Sequence, residues 1–95
     1  MKKTAQNWSV YIVEASDHSL YTGITTDVER RFEEHLAGKK GAKYFNGRKP
    51  VKVVYQETGH NRSSASQREF EIKRLSRQAK QNLVSNQGDL ATSLA

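Results

Sequence analysis

Trp8-Ser9-Val10-Tyr11-Ile12-Val13-Glu14 is the stretch on which the fold turns. Its aromatic and β-branched residues read as a strand, and it ends at Ala15–Ser19 (ASDHS), a small polar run typical of a turn. Leu20–Thr25 (LYTGIT) resumes strand chemistry, so the two runs predict an antiparallel hairpin. Gly23 stands inside the second run. Glycine weakens a strand unless backbone must come close to something, so it suggests a bulge or a ligand approach.

Outward from the hairpin, Thr26–Glu29 (TDVE) fits a capping box, with the Thr26 hydroxyl serving the Glu29 amide. Val28, Phe32 and Leu36 then recur at four-residue spacing as far as Gly38, a C-cap, which predicts an amphipathic helix over residues 27–37. Lys39–Lys49 (KKGAKYFNGRK) is a glycine-punctuated basic loop, and Pro50 leads into a third strand at Val51–Glu57. A turn is expected at Thr58–Arg62. Ser64 with Gln67 opens a second helix from Ala65 to about Leu75, and Ser76 caps a third that runs to about Asn86. Residues 87–95 read as a frayed tail.

Ninety-five residues make one domain, placed over residues 1–95 with its core at about 8–84. Sixteen Lys and Arg against ten Asp and Glu leave a net charge of +6, which favours a polyanionic partner, nucleic acid first. The absence of cysteine excludes a disulfide framework, thiolate catalysis and Cys-ligated zinc. No stretch approaches the roughly 18 apolar residues of a membrane span. Met1–Gln6 has no apolar run behind its lysines and does not read as a signal peptide, so a cytoplasmic location is expected.

A small domain has little core to spare, and an inward polar side chain is costly. At about 100° per residue, Arg31 and His35 border the Val28–Phe32–Leu36 stripe on one side of the first helix. Glu69 falls on the line of Ala65 and Ile72 and faces inward or lines a cleft. Two readings stay open for this trio: an Arg31–Glu69 salt bridge with His35 donating to a carbonyl, or a site. Tyr11 and Tyr21 have an ordinary reading as packing residues with a wet hydroxyl.

Taken in order, these residues match a known arrangement. Val10-Tyr11-Ile12, followed ten residues later by Tyr21-Thr22-Gly23, resembles the paired tripeptides of the GIY-YIG nuclease family, with Val10 where the name has glycine. Arg31, eight residues beyond Gly23, with Phe32 next to it and His35 one turn on, is similar to the family's helix-borne arginine and histidine. Glu69, within Arg68-Glu69-Phe70-Glu71-Ile72-Lys73, looks like its metal-binding glutamate. The resemblance spans Trp8 to Val84 and is closest to the family's small single-domain bacterial members.

The resemblance implies an α+β fold, a three-stranded antiparallel sheet flanked by helices, and a metal-dependent endonuclease that hydrolyses DNA phosphodiesters, directed by substrate structure and linked to repair or recombination. Glu69 would hold one Mg²⁺ or Mn²⁺, Arg31 would grip the phosphate, and Tyr11 would be the general base, with Arg31, Tyr21 and the metal lowering its pKa from about 10. Tyr21 would bond water or phosphate, and His35 would relay a proton or orient Tyr11. Gly23 would admit the substrate. Lys39, Lys40, Lys43, Arg48 and Lys49 would track the nucleic-acid backbone while Tyr44 and Phe45 stack on bases, with Arg68, Lys73, Arg74, Arg77 and Lys80 extending the basic surface. No helix-turn-helix or zinc-finger spacing is present to read base edges, so targeting would come from nucleic-acid shape or a protein partner. The competing reading is a non-catalytic DNA- or RNA-binding module on the same fold.

Overall fold

The computed structural model describes residues 7–38, 45 and 47–94, with the side chains of 87–94 left aside. The chain runs β1 (Trp8–Ala15), β2 (Leu20–Thr25), α1 (Val28–Ala37), β3 (Pro50–His60), α2 (Arg62–Lys73) and α3 (Arg77–Leu94). The expected fold class is what forms: a three-stranded antiparallel sheet in the order β2-β1-β3, with helices on both faces. No helix among the described residues is long and apolar enough to cross a membrane.

β1 is central and almost wholly buried. Because successive side chains point to opposite faces, it serves two layers at once. Val10 and Ile12 join Tyr55, Ala65 and Ile72 in the apolar core, with Trp8, Leu20, Ile24, Val54, Leu83 and Val84 packed against it. Tyr11 points the other way, toward α1. The β1–β2 register is regular and sets Tyr11 opposite Gly23 and Val13 opposite Tyr21.

The helix starts differ from the sequence expectation. Asp27, not Thr26, caps α1: its carboxylate accepts from the Arg30 N–H at 3.0 Å, while Thr25 Oγ1 accepts from the Asp27 N–H at 3.2 Å. Thr25, Thr26 and Asp27 can all cap, and the carboxylate gains most from the positive end of the helix. α2 likewise starts three residues early. Asn61 is its cap, and Ser64 is the reciprocal partner rather than the cap itself, Asn61 Oδ1 accepting from the Ser64 N–H at 2.8 Å and Ser64 Oγ from the Asn61 N–H at 3.1 Å. Ser76 caps α3 as expected, accepting from the Ala79 N–H at 3.1 Å. Gly38 ends α1 at φ 77°, a left-handed conformation that suits glycine.

β3 outruns its expected end at Glu57 because Trp8 of β1 still pairs with His60, with register shifts along the pairing and Gly59 at φ 79° within the extra stretch. α3 continues through Leu94, beyond the expected stop at Asn86. The largest change of reading concerns α1. Its apolar stripe is not what it buries: Leu36 is 56% exposed and Val28 and Phe32 are half-buried, whereas His35 is only 3% exposed. The helix is turned so that its histidine, not its leucine, meets the sheet.

Candidate active site

Tyr11 is the residue around which the site is built. It is 1% exposed, and its hydroxyl lies 3.0 Å from His35 Nε2, which joins the central strand to α1. Gly23, directly across the ladder, makes room for the ring: a Cβ there would stand 2.7 Å from the Tyr11 hydroxyl oxygen and 2.8 Å from Cζ. The glycine is required by a neighbouring side chain of this protein.

Tyr21 completes the cage, its ring centroid 6.2 Å from that of Tyr11 and 5.4 Å from that of His35, edge-on to the imidazole. Phe45, from the loop before β3, lies 5.1 Å from Tyr21 and 4.8 Å from His35. Arg31, one turn before His35, donates from Nη1 to Glu34 Oε1 at 2.8 Å and sits beside the Tyr11 phenol.

Burial is the main influence on both central groups. Removal from water, reinforced by Tyr21, pushes the Tyr11 phenol above its ordinary pKa despite the opposing pull of Arg31. Of the two neighbours, Arg31 lowers the pKa as expected and Tyr21 raises it, and Tyr11 is protonated through neutral pH. Burial also pushes His35 below its ordinary value, and the Arg31 charge adds to this while Glu34 opposes it. At neutral pH the pair is an uncharged phenol against an uncharged imidazole.

Of the residues singled out in the sequence, Tyr11, Tyr21, Gly23, Arg31 and His35 come together. Glu69 lies on α2, whose Ala65 and Ile72 pack into the apolar core with Val10 and Ile12, and its half-buried carboxylate pairs with Lys73 at 3.1 Å. The Arg31–Glu69 salt bridge is replaced by these two local pairs, and His35 bonds a phenol rather than a carbonyl. Arg48 pairs with Asp17 at 3.1 Å, and the Lys49 N–H donates to Ser16 Oγ at 3.0 Å, so both tie the loop to the β1–β2 turn. Lys39, Lys40, Lys43 and Tyr44 lie outside the described residues. The helical basic surface is partly engaged: Arg68 holds Glu57 at 2.8 Å, Arg74 covers the Phe70 ring at 5.4 Å and Arg77 donates to the His18 carbonyl at 3.0 Å.

Two members were missed. Glu34 steadies Arg31, and its i,i+3 spacing was a visible signal. Phe45 was assigned to base stacking, but its ring faces His35 and Tyr21.

Residues 7–82 match the family described as the GIY-YIG catalytic domain. The chain belongs to the GIY-YIG family. It is 57% identical over 81 residues to a UPF0213 protein of Haloquadratum walsbyi, covering 85% of this chain and 90% of that one. A UPF0213 protein of Desulfotalea psychrophila is 53% identical over 77 residues, 81% of this chain and 70% of the relative. The solution NMR structure of a UPF0213 protein from Bacillus halodurans superposes with a TM-score of 0.55 at 47% identity, covering 85% of each chain. The matched GIY-YIG region contains every residue of the Tyr11 cage and Glu69.

Among the described residues no three His, Asp or Glu side chains converge as a metal cage. The donor chemistry of Glu69 instead fits one hard divalent ion that keeps most of its waters, because a single carboxylate can share such an ion with phosphate oxygens.

Proposed function

We propose that this GIY-YIG protein is a divalent-metal-dependent endonuclease that hydrolyses phosphodiester bonds in DNA, selecting its substrate by shape and serving DNA repair or recombination. The observation that carries the reading is the Tyr11 hydroxyl held at 3.0 Å by His35 above Gly23, with Arg31 alongside. A packing tyrosine has no need of a buried imidazole, a glycine floor and a guanidinium.

The chemistry is derived from those groups. Arg31 exchanges Glu34 for the scissile phosphate, and its planar fork spans two phosphate oxygens. That exchange also opens the way to the Tyr11 hydroxyl, which is otherwise buried. Because Tyr11 is protonated, it takes a proton from the attacking water only as it gives up its own hydrogen, which passes to a phosphate oxygen. His35, with its lowered proton affinity, is a poor destination and serves to orient the phenol. Tyr21 supports the phosphate side of the cage. Glu69, released from Lys73, would hold Mg²⁺ or Mn²⁺, and such an ion would supply positive charge to offset that of the phosphate and the departing 3′ oxygen. Lys39, Lys40, Lys43, Arg48 and Lys49 supply sequence-independent backbone attraction.

The test is cleavage of labelled duplex, single-stranded, flap and branched DNA, with matched RNA, in Mg²⁺, Mn²⁺ or EDTA. Cutting of one DNA shape that EDTA abolishes is expected. The Lys73 pairing of Glu69 and the burial of Tyr11 favour a second reading, a non-catalytic nucleic-acid-binding module. Salt-sensitive binding without cutting on any substrate would establish that reading in place of the first.

A further inference from the structure

His35 has two ring nitrogens, and only one is engaged. Nε2 lies 3.0 Å from the Tyr11 hydroxyl, while Nδ1 is buried with no hydrogen-bond partner among the described residues. A neutral imidazole carries one hydrogen. On Nδ1 it would be a buried N–H with no acceptor; on Nε2 it is donated to the Tyr11 oxygen, and only a lone pair is left bare. A bare acceptor is the smaller loss, which puts the hydrogen on Nε2. Tyr11 then accepts from His35, and its own hydroxyl hydrogen turns away.

Nδ1 is buried from solvent. Among the described residues, the groups facing His35 are Tyr11 from β1, Tyr21 from β2, Arg31 and Glu34 from its own helix, and Phe45 from the loop before β3. Phe45 is the nearest ring, at 4.8 Å, and it also packs on Tyr21 at 5.1 Å. It is half-buried, in a stretch of sequence rich in Lys and Gly.

We propose that Phe45 is a positioning residue for the reaction: its ring excludes water from His35, holds the imidazole with its hydrogen on Nε2, and so directs the Tyr11 hydroxyl hydrogen toward the substrate. The inference deepens the nuclease reading and rests on it. It also separates two roles for His35, which orients the phenol and does not relay its proton.

The experiment is long-range ¹H–¹⁵N NMR of the full chain labelled at histidine, comparing wild type with Phe45→Ala and Phe45→Leu from pH 4 to pH 8. In wild type, His35 shows the Nε2–H tautomer and titrates below the ordinary value of about 6.5. Phe45→Ala moves its midpoint up toward the ordinary value of about 6.5 and mixes the tautomers. Phe45→Leu, which still excludes water, stays close to wild type. In cleavage assays Phe45→Ala lowers kcat on the order of tenfold, with KM nearly unchanged, and moves the acid limb of the pH profile together with the NMR midpoint. An Nδ1–H tautomer in wild type, or a His35 titration that Phe45→Ala leaves in place, overturns the proposal. A rise in KM alone would make Phe45 a nucleic-acid contact instead. The NMR readouts need no substrate, so a wild type that does not cut defeats the nuclease reading and the kinetic half of this proposal, while the seal on His35 is still decided by its titration.

Discussion

The two faces of the same sheet are built on opposite principles. On one, Val10 and Ile12 meet Ala65 and Ile72 in an apolar core. On the other, Tyr11, one residue away from each, is buried just as deeply, yet it faces a second tyrosine, a histidine and an arginine. The apolar core gains from burial, about 25 cal/mol for each Å² removed from water, and at its edge the Tyr55 hydroxyl donates to Glu57, which Arg68 of α2 also holds. The polar face has to satisfy every group it buries, and it leaves His35 Nδ1 bare. A domain of this size tolerates such a layer when the layer serves chemistry rather than stability.

The comparison breaks most sharply at Tyr11. Tyr11→Phe keeps the ring and removes one oxygen, so the fold remains while cleavage falls by about 10² to 10⁴, the range expected for a lost proton-transfer group. A variant that cuts at the wild-type rate would place the polar face with the packing residues. Ile72→Ala probes the other face. It is expected to destabilise by about 2–5 kcal/mol in chemical denaturation, while the molecules that stay folded cut normally.

Gly23→Ala couples the two properties. Its new methyl meets the Tyr11 oxygen at 2.7 Å and must push the phenol off His35. A loss of about 1–3 kcal/mol is expected in thermal unfolding, together with reduced cleavage and loss of the His35–Tyr11 hydrogen bond by NMR. Unchanged stability would mean that the ring is not seated against the glycine.

The smallest expected effect is that of pH. His35 is lowered in the folded state by burial and by Arg31, so the unfolded chain binds its proton more readily. Its contribution to stability is present above the unfolded value of about 6.5 and is lost as pH falls through the lower folded value. Denaturation midpoints measured from pH 7 to pH 5 should decline in wild type and decline less in His35→Gln. Equal slopes would show that His35 is not buried in its neutral form.

Sequence reading is uneven for the same reason that the two faces differ. The hairpin is legible because strand alternation is local, and Gly23 is legible because a glycine inside a strand has to answer to a neighbour. The orientation of α1 is not, since a helical wheel sends apolar residues inward, and only the hydroxyl waiting on β1 explains why His35 displaces Leu36. The helical wheel sets Glu69 on the line of Ala65 and Ile72, but its ion pair with Lys73 is one of several i,i+4 options that a wheel does not choose between. Phe45 could be seen as an unusual aromatic in a basic loop; its position against His35 follows from the return of the chain into β3. The caps at Asp27 and Asn61 were displaced because neighbouring residues were equally competent to cap.

The central claim is that the polar face is catalytic, and the most direct test is single-turnover cleavage by wild type, Tyr11→Phe and Glu69→Ala in Mg²⁺, with nucleic-acid binding recorded on the same samples. The account predicts metal-dependent cutting by wild type that both substitutions abolish while binding survives. Equal cutting by all three proteins, or binding in all three with no cutting by any, would contradict it.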